Sequence, residues 1–154
     1  MRNETIDTHQ WPLPEWLDPD TYRQMYDAAI TARANAYAAY SNFKVGAALL
    51  DEAGNIHAGC NVENAAYPQG VCAEAGAISA MVLSGGKHIR AALVLGDAPE
   101  WVTPCGGCRQ KLREFSAPDM PVLLCNPNGL QASLSLDELL PHSFGPAHLM
   151  PQRS

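Results

Sequence analysis

A chain of 154 residues with 47% hydrophobic side chains can bury one sizeable core. Its formal net charge of -6 is evenly spread, without the basic stripe that neutralises many phosphates, which argues against extended nucleic acid as a partner. The apolar runs VGAALL and AALVL have strand length rather than membrane length, and MRNETIDTHQWPLPEWLDP lacks the features of a secretory signal, so neither a membrane partner nor export is expected.

Residues 1–18 read as an irregular amino-terminal extension. Asp18 and Pro19 then supply an N-cap and a first-turn proline, and Tyr22, Met25, Tyr26, Ala29 and Ile30 follow at helical spacing, predicting a helix to about Tyr37. Lys44 to Leu50 and Ile56 to Cys60, separated by the turn signal DEAGN, predict two antiparallel strands. A second helix is expected from Cys72 to Leu83, stopped by Ser84, Gly85 and Gly86. Ile89 to Leu95 is a third strand, Cys105 to Phe115 a third helix led by Pro104, and Val122 to Cys125 a fourth strand. The NPNG turn is too short for a helical crossover, so it returns the chain antiparallel into a fifth strand near Leu130 to Leu134. Asp137 to Leu140 predicts a last short helix. No linker or repeat interrupts this order, which implies a single α/β domain over 1–154 with a mixed sheet and helices against it.

With no export signal, the five cysteines are read as ligands, reactive groups or core residues in a reducing cytoplasm rather than as disulfides. Cys72 opens one predicted helix, and Cys105 and Cys108 open another. Helix N-termini carry partial positive charge and unpaired N–H groups, so both favour thiolate and ready the sulfurs for zinc. Three protein ligands leave a coordination position for water, as in catalytic rather than structural zinc sites. Cys60 and Cys125 lie in or beside apolar strand runs, where a free cysteine behaves as a small core residue. Glu74 stands two residues after Cys72. A first-turn glutamate commonly serves only the helix dipole, but beside three cysteines it reads as the carrier of a proton to and from activated water. A Cys-x-Glu followed by Pro-Cys-x-x-Cys is the signature of the zinc deaminases.

AYAAYSNFKVGAALL, GCNVENAAYPQGVCAEAGAI, TPCGGCRQKLREF and LLPHSFGP all resemble segments of the small cytidine deaminases, in that family's order, over roughly residues 21 to 149. The resemblance implies a three-layer fold, a five-stranded mixed sheet flanked by helices, with the last two strands antiparallel. It implies a cytoplasmic homotetramer that deaminates cytidine and deoxycytidine by a zinc-activated water in pyrimidine salvage. Asn61 and Glu63 would then bind the ribose hydroxyls, Phe43 and Tyr67 would shape the pocket, and backbone at Ala65 and Ala73 would meet the ligand. Phe144 would reach a neighbouring subunit's site and stack on the base. From the residues alone, Asn61 and Glu63 also fit turn positions facing water, Phe43 fits a core position, and Phe144 fits a tail residue closing its own core. Arg109 either steadies the thiolates by charge or is a solvated helix residue. Where many relatives have arginine after the glutamate, this chain has Ala75. Ala39 and Ala66 depart from the usual proline and cysteine. The histidines at 9, 57, 88, 142 and 148 fall outside the motifs and are assigned no function.

Overall fold

The computed structural model describes residues 12–150. The elements follow the predicted order through α4: α1 (Pro19–Ala34), β1 (Gly46–Asp51), β2 (Ile56–Cys60), α2 (Ala73–Leu83), β3 (Ile89–Leu95), α3 (Gly106–Glu114), β4 (Pro121–Asn126), β5 (Gly129–Ser135) and α4 (Leu136–Leu139); a further short helix, α5 (Pro146–Leu149), lies beyond the one expected to be last. Of the expected amino-terminal extension, residues 12–18 form turns without helix or strand, with Leu17 buried in the core, and residues 1–11 lie outside the described residues.

Asp18 caps α1, its Oδ1 accepting the Asp20 N–H at 3.0 Å. The helix ends at Ala34, one turn short of the expected Tyr37. A tertiary pairing explains the difference: the Tyr37 N–H donates to the Asn61 carbonyl at 3.0 Å, and its carbonyl accepts the Glu63 N–H at 2.8 Å. Those backbone groups cannot also continue the helix.

The five strands form one sheet in the order β2-β1-β3-β4-β5, with β3 and β4 parallel and every other neighbouring pair antiparallel. Alternation of side chains along the strands divides the core in two. Ala47, Leu49, Ala92, Val94, Val122 and Leu124 meet α2, α3 and α4 on one face. Ala48, Leu50, Leu93, Leu95 and Leu123 meet α1 on the other. This is the expected three-layer arrangement, and it accounts for the unbroken apolar run of β1, whose residues are all buried between helices. Cys125 is a core residue, its thiol 3.9 Å from the Tyr22 hydroxyl and pushed up to about 12 by burial.

Two contacts set the position of α2. At its start, Gly59 of β2 lies so close that a Cβ there would collide with the Ala73 carbonyl oxygen and the Ala77 amide nitrogen. Beyond its far end, the turn at Gly86 sits beside the Asp51 carboxylate, where a Cβ on that glycine would come within 3.1 Å of Oδ2. Asp51 is buried, receives the Ala53 and Asn55 N–H groups at 2.9 Å each, and bonds Nε2 of buried His57 at 2.8 Å. Burial alone would raise the Asp51 pKa; the bonds from His57 and the two amides more than reverse this and hold it below its ordinary value.

The sign of the resulting pH dependence follows from that depression. The carboxylate contributes stability above the unfolded-state pKa, and the contribution is lost as pH falls through the lower folded-state value. Asp51→Asn should therefore cost about 1–3 kcal/mol near neutral pH. Urea unfolding measured across pH should show the gap to the unmodified protein closing in acid, and a gap independent of pH would contradict this account.

Candidate active site

Strands β2 and β3 are both antiparallel to β1, so they run in the same direction, and the helices that follow them start at the same end of the sheet. Both helices pack on the same face. Cys72 is the N-cap of α2 and Cys105 the N-cap of α3, positions commonly filled by an oxygen-bearing side chain, while Cys108 lies in the first turn of α3. The three Sγ atoms fall within 4.8 Å of one another, and the Cys72 and Cys105 sulfurs are 3.8 Å apart. Sulfur ligands at about 2.3 Å from a tetrahedral zinc lie ~3.8 Å from each other. The donor set thus fits zinc in chemistry and spacing. Cys60 and Cys125 are not part of the group.

Electrostatics without a cation oppose three adjacent thiolates. Burial pushes the Cys72 and Cys108 thiols up; Glu74 and Cys105 add to this for both and Cys72 for Cys108, while the Cys108 thiol partly offsets it at Cys72. Burial also acts against Cys105, but the Cys108 N–H and the two facing thiols outweigh it and hold Cys105 below its ordinary value. A divalent ion supplies the charge that this cluster needs in order to ionise fully. Glu74, in the first turn of α2, is 4% exposed. Its burial raises the carboxyl pKa above the usual range, partly offset by its own backbone N–H, the Cys108 thiol and the charge of Lys111.

A cavity of about 190 Å³ opens onto these groups. Of the residues singled out from sequence, Cys72, Cys105, Glu74, Phe43, Asn61 and Ala73 line it. Glu63 and Tyr67 line a separate hollow of about 370 Å³ with Tyr40, Ser41, Asn64 and Gly70. Ala65 lines neither, and Phe144 is exposed on the surface with its ring stacked on His148, centroids 4.9 Å apart. Sequence reasoning missed Val45, Val94, Val102 and Thr103 as cavity walls. The signal available for the last two was their place directly before Pro104 and Cys105.

The polar side chains of NVEN are committed to the protein's own backbone. Asn61 Oδ1 accepts the Val45 N–H at 2.8 Å, and Nδ2 donates to the Phe43 carbonyl at 2.8 Å. The Glu63 carboxylate accepts the N–H groups of Tyr40 at 2.9 Å and Ser41 at 3.0 Å, together with the Ser41 hydroxyl. The Ser41 hydroxyl and these amides hold its pKa below the usual value. Together the two residues tie segment 40–45 to the strand-like stretch that leads toward α2.

Arg109 does not donate a hydrogen bond to a sulfur. Its Nε, Nη1 and Nη2 donate to the Pro104 carbonyl at 2.7 Å, the Leu139 carbonyl at 2.7 Å and Thr103 Oγ1 at 3.0 Å. The side chain therefore braces the loop ahead of Cys105 against the end of α4.

The family model described as "Cytidine and deoxycytidylate deaminase zinc-binding region" matches residues 19–124. Cytidine deaminase from Sporosarcina psychrophila is 45% identical over 113 residues, 73% of this chain and 83% of the relative. A probable cytidine deaminase from Dictyostelium discoideum is 35% identical over 135 residues, 87% of this chain and 90% of the relative. The crystal structure of cytidine deaminase from Burkholderia pseudomallei shares 40% identity with a TM-score of 0.74, covering 80% of this chain and 98% of that one. The sheet, the paired helix starts and the sequence agree: the chain belongs to the cytidine and deoxycytidylate deaminase family.

The bracing role of Arg109 depends on planar, forked donors reaching three separate acceptors, which a lysine cannot reproduce. Arg109→Lys should weaken zinc binding by about tenfold, as loss of outer support for ligands commonly does. Competition with a chromophoric chelator measures this, and unchanged affinity would remove Arg109 from the support of the site.

Proposed function

We propose that the chain hydrolyses cytidine and deoxycytidine to uridine and deoxyuridine, releasing ammonia, with zinc held by Cys72, Cys105 and Cys108. The observation that carries this reading is a buried carboxyl, Glu74, placed on a helix start beside three converging sulfurs at the wall of a cavity. When bound, zinc supplies Lewis acidity and lowers the pKa of water toward neutrality. In the net reaction water adds at C4 of the ring and the exocyclic amine leaves as ammonia. Glu74 holds the transferred proton on a carboxylate oxygen, passes it to ring N3 and then assists protonation of the departing amine. Its burial at the cavity wall, beside the three sulfurs, suits a group that must both take and give a proton there.

Asn61 and Glu63 bind the ribose hydroxyls in this reading. Each keeps capacity after its bonds to the backbone: the Asn61 amide has a second N–H, and carboxylate oxygens accept more than one donor. A free base lacks the hydroxyls that would use this remaining capacity, which favours a nucleoside. Phe43 and Tyr67 shape the pocket, and backbone at Ala65 and Ala73 meets the ligand. In a homotetramer Phe144 of a neighbouring subunit stacks on the base, a role that its exposure at the surface of one chain permits. Five free cysteines suit a reducing cytoplasm and a role in pyrimidine salvage, and the net charge of -6 suits a small neutral substrate rather than a polynucleotide.

Purified protein assayed for zinc content and for ultraviolet change with cytidine, deoxycytidine and blasticidin S side by side tests the assignment. Turnover of both nucleosides is expected; bound zinc with no turnover of any cytosine compound would favour a non-catalytic zinc module. Glu74→Gln should retain zinc and fold while losing about a hundredfold or more in kcat. Near-normal turnover in that variant refutes its role. Phe144→Ala should raise KM for cytidine with a smaller effect on kcat, and an unchanged KM would end the base-stacking assignment.

A further inference from the structure

One row of side chains on α3 is committed to the carboxy-terminal segment. Arg109 Nη1 donates to the Leu139 carbonyl at 2.7 Å, Gln110 Nε2 to the Phe144 carbonyl at 2.9 Å, and Arg113 Nε to Ser143 Oγ at 2.9 Å. Helix residues three and four apart are neighbours, so Arg109 and Gln110 both adjoin Arg113. Gly145 lies against the same row. Its φ of -157° is extended backbone that any residue adopts, but a Cβ there would stand 2.7 Å from Cζ of Arg113. A side chain at this position would have to displace the end of the Arg113 side chain. Just before the gripped residues, His142 takes φ 51°, a left-handed conformation uncommon outside glycine and maintained where the surroundings fix it. Phe144 as a residue is 56% exposed, with its ring stacked on His148. Its backbone is held while its ring is presented.

We propose that Arg113 and Gln110 are positioning residues: from α3 they hold residues 143–145 of their own chain, fixing the presentation of the Phe144 ring to the site of a neighbouring subunit. This rests on the reading above that Phe144 stacks on the substrate base. A segment ordered in advance loses little freedom when a ligand arrives, whereas a loose one must be ordered at each binding event. That cost falls on the ground-state and transition-state complexes alike, so it enters KM more than kcat.

Two measurements on the zinc-loaded full chain separate the grip from its purpose. Arg113→Ala should speed amide hydrogen exchange across 142–148 while leaving exchange in α2 unchanged. It should raise KM for cytidine by about fivefold to tenfold, with kcat and zinc content changed by less than about twofold. Gln110→Ala removes a different bond and should move both readouts in the same direction. In a Phe144→Ala background, Arg113→Ala should add no further increase in KM, because the residue through which it acts is gone. Unchanged exchange in both single variants would show that no grip exists. A KM increase that persists undiminished without the Phe144 ring would show that Arg113 acts by another route. If exchange rises but Phe144→Ala alone leaves KM unaltered, the base-stacking reading fails and this proposal with it, and the exchange data mark that failure as distinct from loss of the grip.

Discussion

Because β2 and β3 both oppose β1, the chain must leave each of them at the same end of the sheet, and the helices that follow begin side by side on one face. Everything chemical in the molecule depends on that constraint. It brings Cys72 together with Cys105 and Cys108 from distant parts of the chain, and it turns two positive helix ends toward one point. It also puts Glu74 on the first turn of α2, where burial keeps its proton affinity high. A sheet with β2 reversed would keep every residue of the motif and lose the site.

The walls of the site are built by polar side chains that serve the backbone first. Asn61 and Glu63 take over hydrogen bonds that segment 40–45 would otherwise make to water, and so hold Phe43 and Val45 at the cavity. Arg109 does the same for the approach to Cys105. Such residues have two consequences when changed, one for shape and one for any contact with a ligand, and kinetic effects at these positions carry both.

Much of this was legible in the sequence. The hairpin of β1 and β2, the antiparallel return through NPNG and the two cysteine-led helices follow from alternation, turn chemistry and caps, which are local signals. The end of α1 was not legible, because Tyr37 is drawn off by pairing with Asn61 and Glu63, a long-range contact invisible to helical spacing. His57 looked unassigned, yet it is buried against Asp51; nothing in a strand pattern reveals which polar residue meets which across a turn. The same holds for Arg109, whose neighbours in sequence suggested charge beside sulfur, while its acceptors lie on a loop and on α4. Ala75 remains a departure for which the structure supplies no direct replacement contact.

The close approach at Gly59 has a mechanical meaning. With only hydrogen between strand and helix, the main chain of α2 rests on the main chain of β2 with no rotatable group in the joint. Reactive groups mounted on such a joint share the small thermal amplitude of the sheet instead of the wider swing of a loop, so their alignment is already present before a ligand arrives.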